Sequence, residues 1–147
     1  MRNKWNQVIE GFNGKTIYHV LKLIENKYPE STRNSLYEGN REVNGYPTDN
    51  ISGYKHDKFV AAVKHCASWM ILRGVFPVTR FHFNMEYSAK DLADIVSQWL
   101  NRTARFKDMG IVIPAMAWIA AAWMFDLEES NHNYPYYKIS RRTITRN

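Results

Sequence analysis

The chain has 147 residues, 45% of them hydrophobic and 23% charged, the balance of one ordinary globular domain. That length excludes two independent cores, and the aromatic content, 14%, excludes a disordered tail. A formal charge of +6 is basic enough to matter for partners and far from the extreme of a polycation.

Taken from the N-terminus, Trp5, Val8, Ile9 and Phe12 form a short helical stripe. No apolar run follows the basic start, so a secretory signal is not expected. From Lys15 to Lys27, Ile17, Val20, Leu21 and Ile24 recur at helical steps and continue to Tyr28, and Pro29 ends the helix. Ser31 caps a short helix through Leu36, and residues 39–53 collect the Gly, Asn, Pro and Asp of a long loop. Asp57 is read as the N-cap of a helix that carries Phe59, Val63, Cys66, Met70 and Ile71 and ends at Gly74.

Between Val78 and Tyr87 the period changes to two. Phe81, Phe83, Met85 and Tyr87 alternate with Arg80, His82, Asn84 and Glu86, which predicts a strand with one buried face. Its pairing partner is expected in residues 136–145, in the loop near 43–46 or in a second copy of the chain. Ser88 and Asp91 resemble a capping box, and Leu92, Ile95, Val96, Trp99 and Leu100 predict an amphipathic helix reaching about Arg105. Gly110 breaks it, and an alanine-rich helix then runs from Pro114 to about Leu127.

The sum is a mainly α fold of about five helices around that alanine-rich central helix, with one small β element and a basic C-terminal arm. The division expected is a helical domain over 1–130 and an aromatic, basic arm over 131–147. Residues 111–125 carry no charge, and an alternative reading makes them a membrane anchor. They fall short of the roughly 20 apolar residues that a spanning helix needs, so burial inside the domain is preferred.

The one cysteine, Cys66, lies on an apolar stripe, is read as a buried residue and has no internal disulfide partner. With no export signal, the expected compartment is the cytoplasm. Histidines at 19, 56, 65, 82 and 132 lack ligand spacing, so neither a metal nor another cofactor is expected. No phosphate loop, dinucleotide fingerprint or nucleophile elbow occurs. If the chain is an enzyme, the candidates are His82 as general base, Glu86 as acid or metal ligand and Arg80 as anion clamp, in a nuclease or phosphotransfer site.

Residues 130–147 carry four bases and no acid. Tyr136, Tyr137, Lys138, Arg141, Arg142 and Arg146 therefore form a candidate surface for nucleic acid or a protein partner, because cations neutralise phosphates and tyrosine rings stack on bases. Trp123, near the end of its helix, is added as an exposed anchor, since tryptophan is enriched at interface hot spots. The expectation is a small non-catalytic binding protein, an accessory subunit or inhibitor in a nucleic-acid-handling assembly of the kind that phage and mobile elements encode. A protein is the expected partner, with nucleic acid as a second and self-association as a third.

Overall fold

The computed structural model describes residues 11, 14–29, 36, 55–76, 78, 80–103, 105–107 and 109–146. Among them are five helices: α1 (Gly14–Lys27), α2 (Lys55–Leu72), α3 (Ala89–Arg102), α4 (Ala115–Met124) and α5 (Arg141–Thr145). Apart from Gly11 and the buried Leu36, the stripe at 5–12, the short helix at 31–36 and the loop at 39–53 lie outside the described residues.

The stripe on α1 is buried as its spacing requires, with Ile17, Leu21, Ile24 and the following Tyr28 turned into the core. α2 starts at Lys55, so Asp57 lies in its first turn and not at the N-cap. Aspartate favours both positions, and residue type alone does not choose between them. The end of α2 is set by Gly74, at φ 75°. Its N–H donates to the carbonyl of Ile71 at 3.1 Å, and the Val75 N–H reaches back to that of Met70 at 3.0 Å. This is the Schellman pattern that glycine favours.

The capping box of α3 is formed on both sides: the Ser88 N–H donates to Asp91 Oδ2 at 2.9 Å, and the Asp91 N–H to Ser88 Oγ at 3.4 Å. The helix stops earlier than Arg105. Thr103 adopts extended backbone, and its hydroxyl takes the carbonyl of Trp99 at 2.9 Å, leaving Gly110 in the loop beyond. Asn101 then holds both backbone groups of Ile111 at 3.0 Å, while Ser97 Oγ accepts the N–H of Ile113 at 2.8 Å. These three bonds deliver the chain into α4 at a fixed angle.

α4 is the centre of the molecule. Ala115 to Ala122 are all buried, and the helix touches α1, α2 and α3. Alanine costs least in a helix and keeps its girth small, which lets three neighbours approach at once. Trp118 and Trp123, out of phase by their spacing, serve different sides. Trp118 is fully buried with its ring edge-on to Trp69 at 5.5 Å, and Trp123 is half-buried at the helix end. Among the described residues no helix is long and apolar enough to cross a membrane.

The described residues of the predicted strand, 78 and 80–87, do not form one. Phe81 and Met85, assigned to its buried face, are 87% and 55% exposed, while Asn84 of the polar face is 2% exposed. Asn84 is the reason. Its N–H donates to the carbonyl of Tyr137 at 2.8 Å, its Nδ2 to that of Ile139 at 3.0 Å, and its Oδ1 accepts the Glu86 N–H at 3.0 Å. One asparagine side chain thus replaces a ladder, and of β structure only the isolated bridges Ser88–Tyr136 and Glu129–Tyr137 are present among the described residues.

The other side of these bonds is the C-terminal stretch. Tyr137, Ile139 and Ile144 are buried, and Ser140 caps α5 by accepting the Thr143 N–H at 3.1 Å. The stretch keeps its basic residues on the outside but packs as part of the core, so it is not a loose arm. Truncation after Asn133 is expected to abolish the cooperative thermal transition followed by circular dichroism, because it removes three buried apolar side chains and two of the three partners of Asn84.

His65 on α2 packs its ring edge-on to Phe106 at 5.0 Å. Burial, and then the nearby Arg105 cation, lower its pKa. The unfolded chain therefore binds this proton more readily than the folded one, and stability falls as pH drops through the region below about 6.5. Urea titrations between about pH 7.5 and 5 should show this loss, and His65→Gln should remove its share of the slope.

Candidate functional site

The residues that shape the surface converge on the carboxylate of Glu129, whose side chain is 7% exposed. Its Oε1 accepts Lys27 Nζ at 2.6 Å, Trp123 Nε1 at 3.1 Å and the Tyr28 hydroxyl at 3.3 Å; its Oε2 accepts the Tyr137 hydroxyl at 3.1 Å. The end of α1, the end of α4 and the C-terminal stretch meet at this one group. Burial, reinforced by the negative charge of Glu129, pushes the pKa of both tyrosines up, so both hydroxyls stay protonated and donate. A buried carboxylate supplied with a cation and three neutral donors is stable where an unpaired one would not be.

Two recesses flank this knot and share the wall Asp126–Leu127. The smaller, of about 210 Å³, lies over Lys27, Trp123 and Glu129. The larger, a half-open cleft of about 490 Å³, runs between Val78, Arg80 and Phe81 on one side and the turn after α4 on the other. Val78, Phe81 and Leu127 give it an apolar lining, Arg80 and Lys138 bring cations, and Asp126 and Glu128 bring anions.

The predicted catalytic trio does not assemble. Arg80 Nε donates to the main-chain carbonyl of His82 at 2.9 Å, and Glu86 faces Arg141 at 3.9 Å, an exposed pair worth little. Among the described residues no hydrogen bond or ion pair joins the His82 and Glu86 side chains. Among the described residues no group of three His, Cys, Asp or Glu side chains could hold a metal ion. Ser130 Oγ lies 2.8 Å from His132 Nδ1, but it also accepts the Tyr136 N–H at 2.8 Å in a buried turn, so the pair braces the backbone. Burial raises the pKa of Cys66, which keeps the thiol protonated and unreactive.

The predicted binding residues divide between two roles. Tyr137, 1% exposed, and Trp123, hydrogen-bonded to Glu129, belong to the knot; Tyr137 has no face left for stacking on a base, and Trp123 is not an exposed anchor. Tyr136 is half-buried, with its ring edge-on to His132 at 5.1 Å. Lys138 pairs with Glu128 at 2.7 Å and lies 5.3 Å above the Phe83 ring, and Arg146 reaches the carbonyl of Arg73 at 3.4 Å. Arg141 and Arg142 stay exposed on the first turn of α5.

Glu129 itself escaped sequence reasoning. Its partners Lys27 and Tyr28 are 102 and 101 positions away, so no local spacing signals the contact. Compared with protein-family models, with curated proteins and with solved structures, the chain finds no match.

Glu129→Ala is expected to lower the free energy of unfolding by about 3 kcal/mol in a urea titration, since it orphans buried donors on three segments. Lys27→Met should cost about 1 kcal/mol or less, because the ammonium is a third exposed and partly screened.

Proposed function

We propose that the chain is a non-catalytic protein-binding module, an accessory subunit or inhibitor in a nucleic-acid-handling assembly, and that residues 78–86 meet its protein partner. The observation that carries this reading is the ring of Phe81, 87% exposed at the rim of the larger cleft. Covering a phenylalanine side chain is worth roughly 1.5–3 kcal/mol, and an aromatic anchor beside a pocket is the usual form of an interface hot spot. Val78 lines the same cleft, Met85 is a second exposed apolar side chain of the segment, and Arg80 and Arg141, the latter facing Glu86, supply cations.

The rim also bears on the nucleic-acid side of the reading. With Tyr137 and Trp123 committed to Glu129, direct binding of a strand would rest on a few exposed cations, which supply little affinity at physiological salt. In this reading the module reaches nucleic acid through its partner.

The test uses tagged wild-type protein, Phe81→Ser and, as a control on a different surface, Met109→Ser, each used to capture proteins from an extract of its own cells. A partner retained by wild type and Met109→Ser and reduced about tenfold with Phe81→Ser supports the reading. Equal capture by all three, or tight binding of the isolated chain to single-stranded or duplex oligonucleotides at physiological salt, counts against it.

A further inference from the structure

Helices α2 and α4 end in the same way but with different residues. α2 closes with the Schellman pattern around Gly74, the residue that the left-handed conformation favours. α4 closes with the same pattern: the Asp126 N–H donates to the carbonyl of Trp123 at 3.1 Å, and the Leu127 N–H to that of Ala122 at 2.9 Å. Here the left-handed residue, at φ 56°, is Asp126. An aspartate at this place is disfavoured twice, because its Cβ crowds the left-handed backbone and its charge sits at the negative end of the helix dipole. Among the described residues no cation lies within ion-pair distance of it.

Asp126 lines the larger cleft together with Arg80. The Arg80 guanidinium is held by the His82 carbonyl and has no carboxylate partner among the described residues. The other two charges of the cleft, Lys138 and Glu128, neutralise each other at 2.7 Å. Among the described residues this leaves one cation and one anion without an ion-pair partner, around an apolar lining of Val78, Phe81 and Leu127. An occupant with a single charge would leave the opposite charge of the cleft unpaired and partly desolvated.

From this charge pattern we infer that the cleft is a peptide-docking site for a segment of the partner protein in which an apolar side chain lies between an acidic and a basic residue. The acid meets Arg80, the base meets Asp126, and the apolar side chain fills the space beside Phe81 and Leu127. The volume suits such a segment, since cavities of about 300–1,000 Å³ enclose ligands of that size. The inference rests on reading the chain as a protein-binding module and adds the chemistry of what it recognises.

The test is a titration of isotope-labelled protein, followed by backbone amide shifts, with blocked pentapeptides containing Lys-Leu-Glu, Glu-Leu-Lys or the neutral Gln-Leu-Gln. One of the mixed-charge peptides is expected to shift the amides of residues 80, 81, 126, 127 and 138 with an affinity about tenfold above that of the neutral peptide. Arg80→Gln and Asp126→Asn should each remove that advantage, while Arg102→Gln, at an exposed position at the end of α3, should keep it. Asp126→Asn should also raise the melting temperature, because asparagine accepts the left-handed backbone without placing a charge at the helix end. A lowered melting temperature would make Asp126 a folding residue and overturn the assignment.

No shifts at roughly 5 mM peptide, or equal affinity for the neutral peptide, would also overturn the inference. If these titrations fail while Phe81→Ser still abolishes capture of the partner, the inference falls and the protein-binding reading stands.

Discussion

A carboxylate cannot be buried cheaply, and the position of Glu129 obliges the chain to bring four donors to it from three separate places. Lys27 and Tyr28 come from the end of α1, Trp123 from the last turn of α4 and Tyr137 from the C-terminal stretch. Each donor that arrives fixes the segment carrying it, so the group acts as a clasp between the ends of α1 and α4 and the C-terminal stretch. The direction of the turn after α4, and with it the common wall of the two recesses, follows from where Glu129 must point.

Apolar packing supplies the frame in which that clasp closes. α4 is hydrophobic on all sides because it is surrounded, and its run of alanines is what permits the surrounding. Two buried tryptophans compensate for the small residues: Trp118 from α4 and Trp69 from α2 meet edge to face, and Trp118 continues to the Tyr137 ring at 6.0 Å. The aromatic series leads from the centre of the core to the hydroxyl that binds Glu129. Core and clasp are therefore one connected structure, and the C-terminal residues are required by both.

Exposure at residues 78–86 has a related cause. Once Asn84 has bound the backbone of Tyr137 and Ile139, the segment is held without a strand ladder and need not bury its alternate side chains. Phe81 and Met85 are left in solvent by this arrangement, and the Phe81 ring stands at the cleft that Arg80 and Asp126 line. The proposed function grows from that surface and not from the basic tail that composition alone brings forward.

The helices were legible because their signals are local. Stripes at helical spacing, the Ser88–Asp91 box and the glycine at 74 act within a few residues, and the resulting helical class, with an alanine-rich centre, is the one that forms. Thr103 ended α3 ahead of Gly110 because a hydroxyl that returns to the preceding turn competes with the helix, a bond that composition does not reveal. The alternation at 81–87 was equally visible, but a strand exists only through a partner, and here a side chain on the polar face took the partner's bonds. Charge count placed Lys138, Arg141 and Arg142 near the surface and could not show that Tyr137 and Trp123 among them would be drawn inward. The sequence by itself determined which segments coil and which faces are apolar, since those depend on neighbours in the chain. The tertiary structure alone decided that Glu129 meets Lys27 and Tyr28, since those donors lie about a hundred residues away in the chain.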